Sequence, residues 1–391
     1  MRRETRCLLA LIMVLGLNAC STVKGWFDAD EEDPTAPAEL VDIDPSVKIR
    51  KLWSTGVGDG QGEGLYRISP ALRKEVIYAA AADGEVKAID RERGKTLWRT
   101  ELDLPLSGGV GVYEDALLLG TSEGAVLRLD AGSGELLWSA RLSGEVLSAP
   151  QTNGRVVVTQ TYDGKLYGLD FATGKKIWTY DSNVPVLTIR GTSTPIVDGA
   201  VAYVGFANGR VMAFDVASGG LVWEVRVAIP QGRSEIERIV DVDGTMELLG
   251  NVLYAASYQG RLAAIDVVNG RRLWQQDVSS VSGVSQGFGN VYVVDENGTV
   301  SAFLRSGRGL RWSQDALGYR GLSRPTPVSS YLAVADFEGI VHLLSQVDGS
   351  LVGRVKVDGD GARADMSSDG NVLYVFGNSG KLAAYEITAK Q

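Results

Sequence analysis

The sequence predicts an all-β protein, an eight-bladed β-propeller with four antiparallel strands per blade. Three observations carry this. A turn glycine recurs eight times, at Gly84, Gly124, Gly164, Gly209, Gly260, Gly298, Gly339 and Gly380, with spacings of 40, 40, 45, 51, 38, 41 and 41 residues. Each is flanked by short runs of β-formers, such as Val76-Ile77-Tyr78 before and an alternating stretch after. Three positions then repeat behind the turn: Asp at +6 (Asp90, Asp130, Asp170, Asp215, Asp266), Gly at +10 (Gly94, Gly134, Gly174, Gly219, Gly270, Gly349) and Trp at +14 (Trp98, Trp138, Trp178, Trp223, Trp274, Trp312). Strand, turn, strand, turn, strand, with one short strand ahead, repeated every 40–50 residues, is the pattern of a propeller blade.

Each repeated position has a physical reason. The +6 Asp bonds the backbone of the turn that follows it. The +10 Gly allows the left-handed backbone of a tight turn. The Trp packs an outer strand against the neighbouring blade. Ser148-Ala149-Pro150 and Ser193-Thr194-Pro195 open the short leading strand in two units. The sixth unit has Leu304 for the Asp and Arg308 for the glycine; the seventh has Ser345 for the Asp and Gly353 for the Trp. The eighth ends before any Trp. Lys51-Leu52-Trp53 has the same look as Thr96-Leu97-Trp98, so an N-terminal strand through Trp53 closes the ring as the outer strand of the last blade. That arrangement covers an edge that would otherwise be open.

The propeller is assigned to residues 47–391. Ahead of it, Arg2, Arg3 and Arg6 precede the apolar run Leu8–Leu17, ten residues, too short to span a bilayer and suited to a signal sequence. Leu17-Asn18-Ala19-Cys20 reads as a lipoprotein cleavage site, giving a signal peptide over 1–19 and a lipidated Cys20; an ordinary signal peptide cut near Ala19 is the alternative. Cleavage leaves 36 basic and 47 acidic side chains, net −11, and one cysteine, which cannot form an internal disulfide. Residues 20–46, with Asp28, Asp30, Glu31, Glu32 and Asp33 and three prolines, read as an acidic flexible tether. Within it Trp26 and Phe27 fit either a lipid surface or a dock on the domain.

Composition narrows function. The full chain carries −9, so it lacks the basic surplus that nucleic-acid binding requires. A single histidine, His342, leaves no His-clustered metal site and reads as a neutral packed or exposed ring. Gly94-Lys95-Thr96 resembles the end of a phosphate loop, but Ile89 occupies the place of the required glycine. Gly120-Thr121-Ser122-Glu123-Gly124 and Gly283-Val284-Ser285-Gln286-Gly287 match the serine-hydrolase elbow without a following helix. The Gly-rich run Gly58–Gly64 has neither helix nor lysine behind it. Asp358-Gly-Asp360 and Asp241-Val-Asp243 lack the remaining calcium-loop ligands. No catalytic residue, cofactor or metal is assigned.

The two long spacings mark a binding surface. Both insertions follow an outer strand, after Trp178 and Trp223, so they lie on one end of the ring and next to each other. Loops on a rigid scaffold are where binding concentrates. The first holds Val184, Pro185, Val186, Leu187, Ile189 and Arg190; the second, Glu235 to Asp241, is acidic and amphipathic. An apolar centre with an arginine and a charged rim suits a protein partner, though Val184 and Ile189 also suit the gap between blades.

The Asp-x-x-x-Gly-x-x-x-Trp repeat resembles the blades of quinoprotein dehydrogenases that bind PQQ. Those enzymes add calcium ligands, usually a vicinal cysteine pair, and much longer chains. From the lipoprotein cleavage site to the last blade, the chain is more similar to the BamB family, propeller lipoproteins of the outer-membrane β-barrel assembly (BAM) machinery. The specific stretches are Leu187 to Pro195 (LTIRGTSTP) and Ser234 to Asp243 (SEIERIVDVD). The resemblance implies a non-enzymatic scaffold on the periplasmic face of the outer membrane, where Ser21, not Asp, follows the lipidated cysteine. It implies that Leu187, Ile189, Arg190, Asp241 and Asp243 face the periplasmic POTRA domains of BamA, and it leaves contact with unfolded outer-membrane proteins open. The competing readings are a PQQ-dependent dehydrogenase-like propeller and a periplasmic glycan-binding propeller; the second calls for exposed aromatics in the loops, of which the sequence has few.

Overall fold

The computed structural model describes residues 33–390; Cys20, Trp26, Phe27 and the signal peptide lie outside that range. Contacts divide the chain into Met1–Pro37 and Ala38–Gln391. The larger unit contains eight four-stranded antiparallel sheets. Seven are built from consecutive strands. The eighth combines Ser367–Asp369, Val372–Phe376 and Lys381–Ala389 with the N-terminal strand Val47–Gly56 on the outside. Trp53 sits opposite Ala384 in that pairing, so the closure inferred from Leu52-Trp53 is the one observed. Hydrophobic clusters each bridge neighbouring blades; Trp53, Ile77 and Phe376 join the last blade to the first.

Seven tryptophans tie the blades together in the same way. Each indole N–H donates to a backbone carbonyl in the next blade's outer turn: Trp53 to Arg91, Trp98 to Ala131, Trp138 to Phe171, Trp178 to Val216, Trp223 to Val267, Trp274 to Arg305 and Trp312 to Gln346, at 2.8–3.2 Å. The glycine of that turn lies beneath the ring. A Cβ at Gly94, Gly134, Gly174, Gly219, Gly270, Gly307 or Gly349 would come within 2.5–2.8 Å of a ring atom, and each has a positive φ of 68–77°. Both constraints exclude any other residue. Across its own sheet the Trp usually faces a small residue, such as Ala88, Gly168 or Ala213. Tyrosines of the second strand pack beside the ring, as Tyr203 does on Trp223 with centroids 5.8 Å apart. The residue before the Trp, or before Gly353 in the seventh sheet, is skipped in the pairing, a bulge that all eight sheets share.

The repeated aspartates behave as the sequence suggested. Asp170 Oδ1 accepts from Thr173 N–H and Oγ1–H, and Asp215 does the same with Ser218. The sixth repeat is a correction. Arg308 does not replace its turn glycine; Gly307, one residue earlier, adopts φ 76° and lies against Trp274. His342 is fully buried and its Nε2 is 3.1 Å from Asp336 Oδ2, so it is a packed ring.

The seam between the seventh and eighth blades has no Trp. Gly353 stands at that position, and the space beside it is taken by Val47, whose Cγ2 would lie against a Cβ there. The preceding residues continue the contact. Ser46 N–H donates to Val352 O at 3.0 Å, Arg354 to Val41 O at 2.7 Å, Arg320 to Ala38 O at 3.0 Å, and Ala38 N–H to Gly318 O at 2.8 Å. The sequence reading treats residues 20–46 as one free tether. From Ala38 onward the chain is instead bonded to the domain, first at the connection entering the seventh blade and then, through Val41 and Ser46, along the edge that the missing Trp leaves uncovered.

The ring contacts predict graded losses. Trp223→Phe keeps most of the apolar contact but strands the Val267 carbonyl, a loss of about 1–3 kcal/mol. Trp223→Ala also opens a cavity and costs about 3–5 kcal/mol. Urea denaturation of the two variants measures both; an undiminished Trp223→Phe would mean that the hydrogen bond contributes nothing, and equal losses that the ring packing adds nothing to it.

Candidate docking site at one mouth of the ring

The two insertions occupy residues 182–195 and 227–246, each between the outer strand of one blade and the inner strand of the next. They meet as their spacing implied: the buried Asp241 carboxylate accepts the backbone N–H of Ile189, and Gly191 lies against Asp243. The second insertion carries the 3-10 turn Ile236–Arg238. Glu237 Oε2 accepts from Arg233 and Ser234 N–H at 2.6 and 3.1 Å, while Ser234 Oγ accepts from Glu237 N–H at 3.2 Å. This reciprocal closure is the chemistry of a capping box. Gln259, in the second-to-third-strand turn of the fifth blade, donates to Ile236 O at 3.2 Å. In that turn the left-handed residue is Gln259, φ 45°, rather than the expected Gly260.

The residues singled out from sequence separate into two groups. Leu187 is 43% exposed and its neighbour Val186 is 85% exposed, so the apolar tip of the first insertion faces solvent. Ile236 is exposed on the second insertion. Arg190 is exposed too, but its Nη2 is 2.6 Å from Glu145 Oε2, and its guanidinium lies 5.8 Å from the rings of both Tyr66 and Tyr162. Ile189 is half-buried. Asp241 is 1% exposed and points inward. It shapes the first insertion rather than offering its carboxylate at the surface, and the half-buried Asp243 stands behind Gly191. Glu145, Tyr66 and Tyr162 were not found from sequence, because they come from other connections and share no spacing with Arg190.

Electrostatics in this pair run against ionisation. Burial pushes Asp241 up to about 7, with the Ile189 N–H opposing. Burial and the neighbouring Asp241 raise Asp243 well above the carboxylate range, with Arg67 pulling the other way. One oxygen of each carboxyl has no partner among the described residues.

The insertions border a cavity of about 340 Å³ at one mouth of the axial channel, lined from all eight blades; Ser69, Gly109, Ser148, Thr194, Arg324 and Asp365 are among its walls. Ile189, Arg190 and Asp243 form part of its rim.

A family profile described as "Outer membrane protein assembly factor BamB" matches residues 82–314. A Pseudomonas aeruginosa protein of the same description is 57% identical over 377 residues, covering 96% of this chain and 97% of its own. The chain belongs to the BamB family. The crystal structure of BamB from Moraxella catarrhalis superposes with a TM-score of 0.78 at 28% identity, covering 87% of this chain and 100% of that one. The quinohemoprotein alcohol dehydrogenase of Comamonas testosteroni gives a TM-score of 0.69 at 13% identity, covering 90% of this chain and 79% of that one. At that identity the likeness is one of fold alone. In this BamB-family chain, the stretches 187–195 and 234–243 form the paired insertions just described.

The raised carboxyl has a testable sign. Asp241 has a folded pKa above its unfolded 3.8, so the native state keeps a proton that the unfolded chain releases. Its contribution to stability is therefore unpenalised below about pH 4 and falls as pH rises to about 7. Asp241→Asn keeps an acceptor for Ile189 and cannot ionise. The melting temperature of the native protein minus that of the variant should fall between pH 5 and pH 8. A flat difference would place the charged carboxylate comfortably in the fold.

Proposed function

We propose that this protein is a non-enzymatic scaffold of outer-membrane protein assembly. It is held on the periplasmic face of the outer membrane by lipid on Cys20, docks on the periplasmic POTRA domains of BamA, and assists the folding and insertion of β-barrel proteins. The observation that carries the reading is the pair of insertions: two long connections of successive blades meet, and present Val186, Leu187, Arg190 and Ile236 outward from a rigid ring. The relatives' shared description, outer membrane protein assembly factor, supports the assembly role and an outer-membrane association. The dehydrogenase alternative has only a likeness of fold behind it.

In this reading Leu187 and Val186 supply the apolar centre of the contact. Arg190 is oriented by Glu145 and braced between two tyrosine rings, with donors left for a carboxylate or backbone oxygen of the partner. Asp241 and Asp243 act indirectly, by fixing the insertion that carries these side chains. Truncating a central contact residue typically costs about 2 kcal/mol, roughly 30-fold in affinity.

Arg190→Glu should abolish binding to BamA, and Leu187→Ala should weaken it, in pull-downs with folded protein. Lys175→Glu is the control, because Lys175 lies in the outer turn of the third blade, on the opposite end of the ring. Equal losses at Lys175 and Arg190 would move the interface elsewhere. Independently, Cys20→Ala should release a folded protein from membranes after a salt wash; a variant that still sediments with them would remove the lipid anchor.

A further inference from the structure

The mouth of the axial channel holds an arginine that the docking insertions do not explain. Arg67 precedes the first blade, yet its Nη1 donates to Val281 O, 3.0 Å away in the connection leading to the sixth blade. Its side chain therefore lies across the opening. It is exposed and lines the same cavity as Ile189, Arg190 and Asp243.

The charges around the opening are unequally matched. Arg190 is paired with Glu145. Arg324 is paired with Glu247 at 2.6 Å and approaches Asp365 at 3.7 Å. Arg67 bonds only to a backbone carbonyl. Arg363, on the eighth-blade side, bonds to Asn378 Oδ1 at 3.3 Å and to Gly64 O at 3.0 Å. Neither Arg67 nor Arg363 has a carboxylate within ion-pair distance among the described residues. Arg363 is held below the usual arginine value by burial and by the charge of Arg67. The carboxyl nearest in effect to Arg67 is Asp243, which burial pushes well above the ordinary carboxylate range while Arg67 pulls it down. Arg67 thus faces the cavity of about 340 Å³ with no ion-pair partner among the described residues, and that volume is near the lower end of the range for ligand sites.

We propose that this mouth is a second part of the docking surface and receives an acidic side chain of the partner protein on Arg67. Two features favour a carboxylate carried by the docked protein. The cavity is continuous with the insertion that bears Leu187 and Arg190. Its walls also mix the arginine with apolar groups, Leu65, Val110, Leu147 and Met366, which suit the methylenes of Asp or Glu. Arg67 keeps unused donors after its bond to Val281, and a guanidinium can grip a carboxylate through two of them. The mouth then places a charge-specific contact beside the apolar one at Leu187, which fixes the rotation of the partner about the ring axis.

The proposal rests on the docking reading above, and the experiment separates the two. The full-length protein in detergent is titrated with the purified periplasmic region of BamA at several salt concentrations, alongside the variants Arg67→Glu, Arg67→Gln, Arg67→Lys and Arg190→Glu. Arg67→Glu should weaken binding at least about tenfold, and Arg67→Lys should recover part of the loss, since the charge persists without the planar fork. Arg67→Gln should show a shallower dependence on salt than the native protein. Melting temperatures should stay near native, because Arg67 is exposed; if Arg67→Glu unfolds, Arg67→Gln carries the comparison. Native binding by the Arg67 variants, with binding lost in Arg190→Glu, overturns the proposal and leaves the docking reading intact. Native binding by all variants overturns the docking reading itself. Stabilisation of the native protein by millimolar phosphate or free glutamate, absent in Arg67→Gln while both dock equally, would make the mouth a small-anion site and also overturn it.

Discussion

The bond from each outer-strand indole to a carbonyl of the next blade is the contact on which the ring depends. It requires three residues that are far apart in role. The Trp must stand at a bulge, so that it reaches sideways off its own sheet. A small residue should lie opposite it, as Ala88 and Gly168 do. The next blade must offer a glycine in a left-handed turn, because any Cβ there would strike the ring. Where the residue opposite is large, a local substitute appears: Arg128 faces Trp138 and folds its guanidinium onto Phe171, 3.9 Å from the ring centre. An indole buried without a partner would lose a hydrogen bond that water had supplied. Apolar packing and polar satisfaction therefore point to the same placement of each blade.

This device explains which features were legible in the sequence. Trp, Gly and Asp at fixed offsets are the device itself, so the repeat, the blade count and the closing role of Trp53 could be read directly. The adjacency of the two insertions followed from their positions in consecutive repeats. Features that depend on contacts across the ring left no such trace. Gly307 serves Trp274 from one position earlier in a connection of the same length, so a fixed offset misses it. Residues 38–46 look like linker by composition, and only the missing Trp at Gly353 signals that something must cover that seam. Glu145 and Arg190 are separated by one blade in space and by no recognisable spacing in sequence. Asp241 looked like a surface acid in an amphipathic stretch; its burial depends on where the first insertion folds.

The two insertions invert the logic of the seams. At the seams each of the seven indole N–H groups is paired and the apolar side chains around them are covered. At the insertions Val186 and Leu187 remain exposed, and unpaired oxygens remain on Asp241 and Asp243. Such local disagreement with the rules of a packed interior is characteristic of places selected for something other than stability. The ring can tolerate it because the insertions leave from outer strands, and the tryptophan ties beneath them do not involve insertion residues.

The same separation bears on the likeness to quinoprotein dehydrogenases. Both folds repeat four-stranded blades about an axis, and at 13% identity the shared part is the scaffold. A fold constrains where loops begin; it does not choose what they bind. In this chain two long connections stand on successive blades, and their exposed side chains include the aliphatic Val186, Leu187 and Ile236 beside Arg190. The axial mouth beside them is bridged by Arg67, bonded to Val281 on the far side. In the proposed docking, an opening crossed by a fixed cation and bordered by an exposed apolar loop would receive a protruding segment of the partner. On the proposed reading, the contact is carried by the geometry of two connections, on a ring whose repeats hold them still.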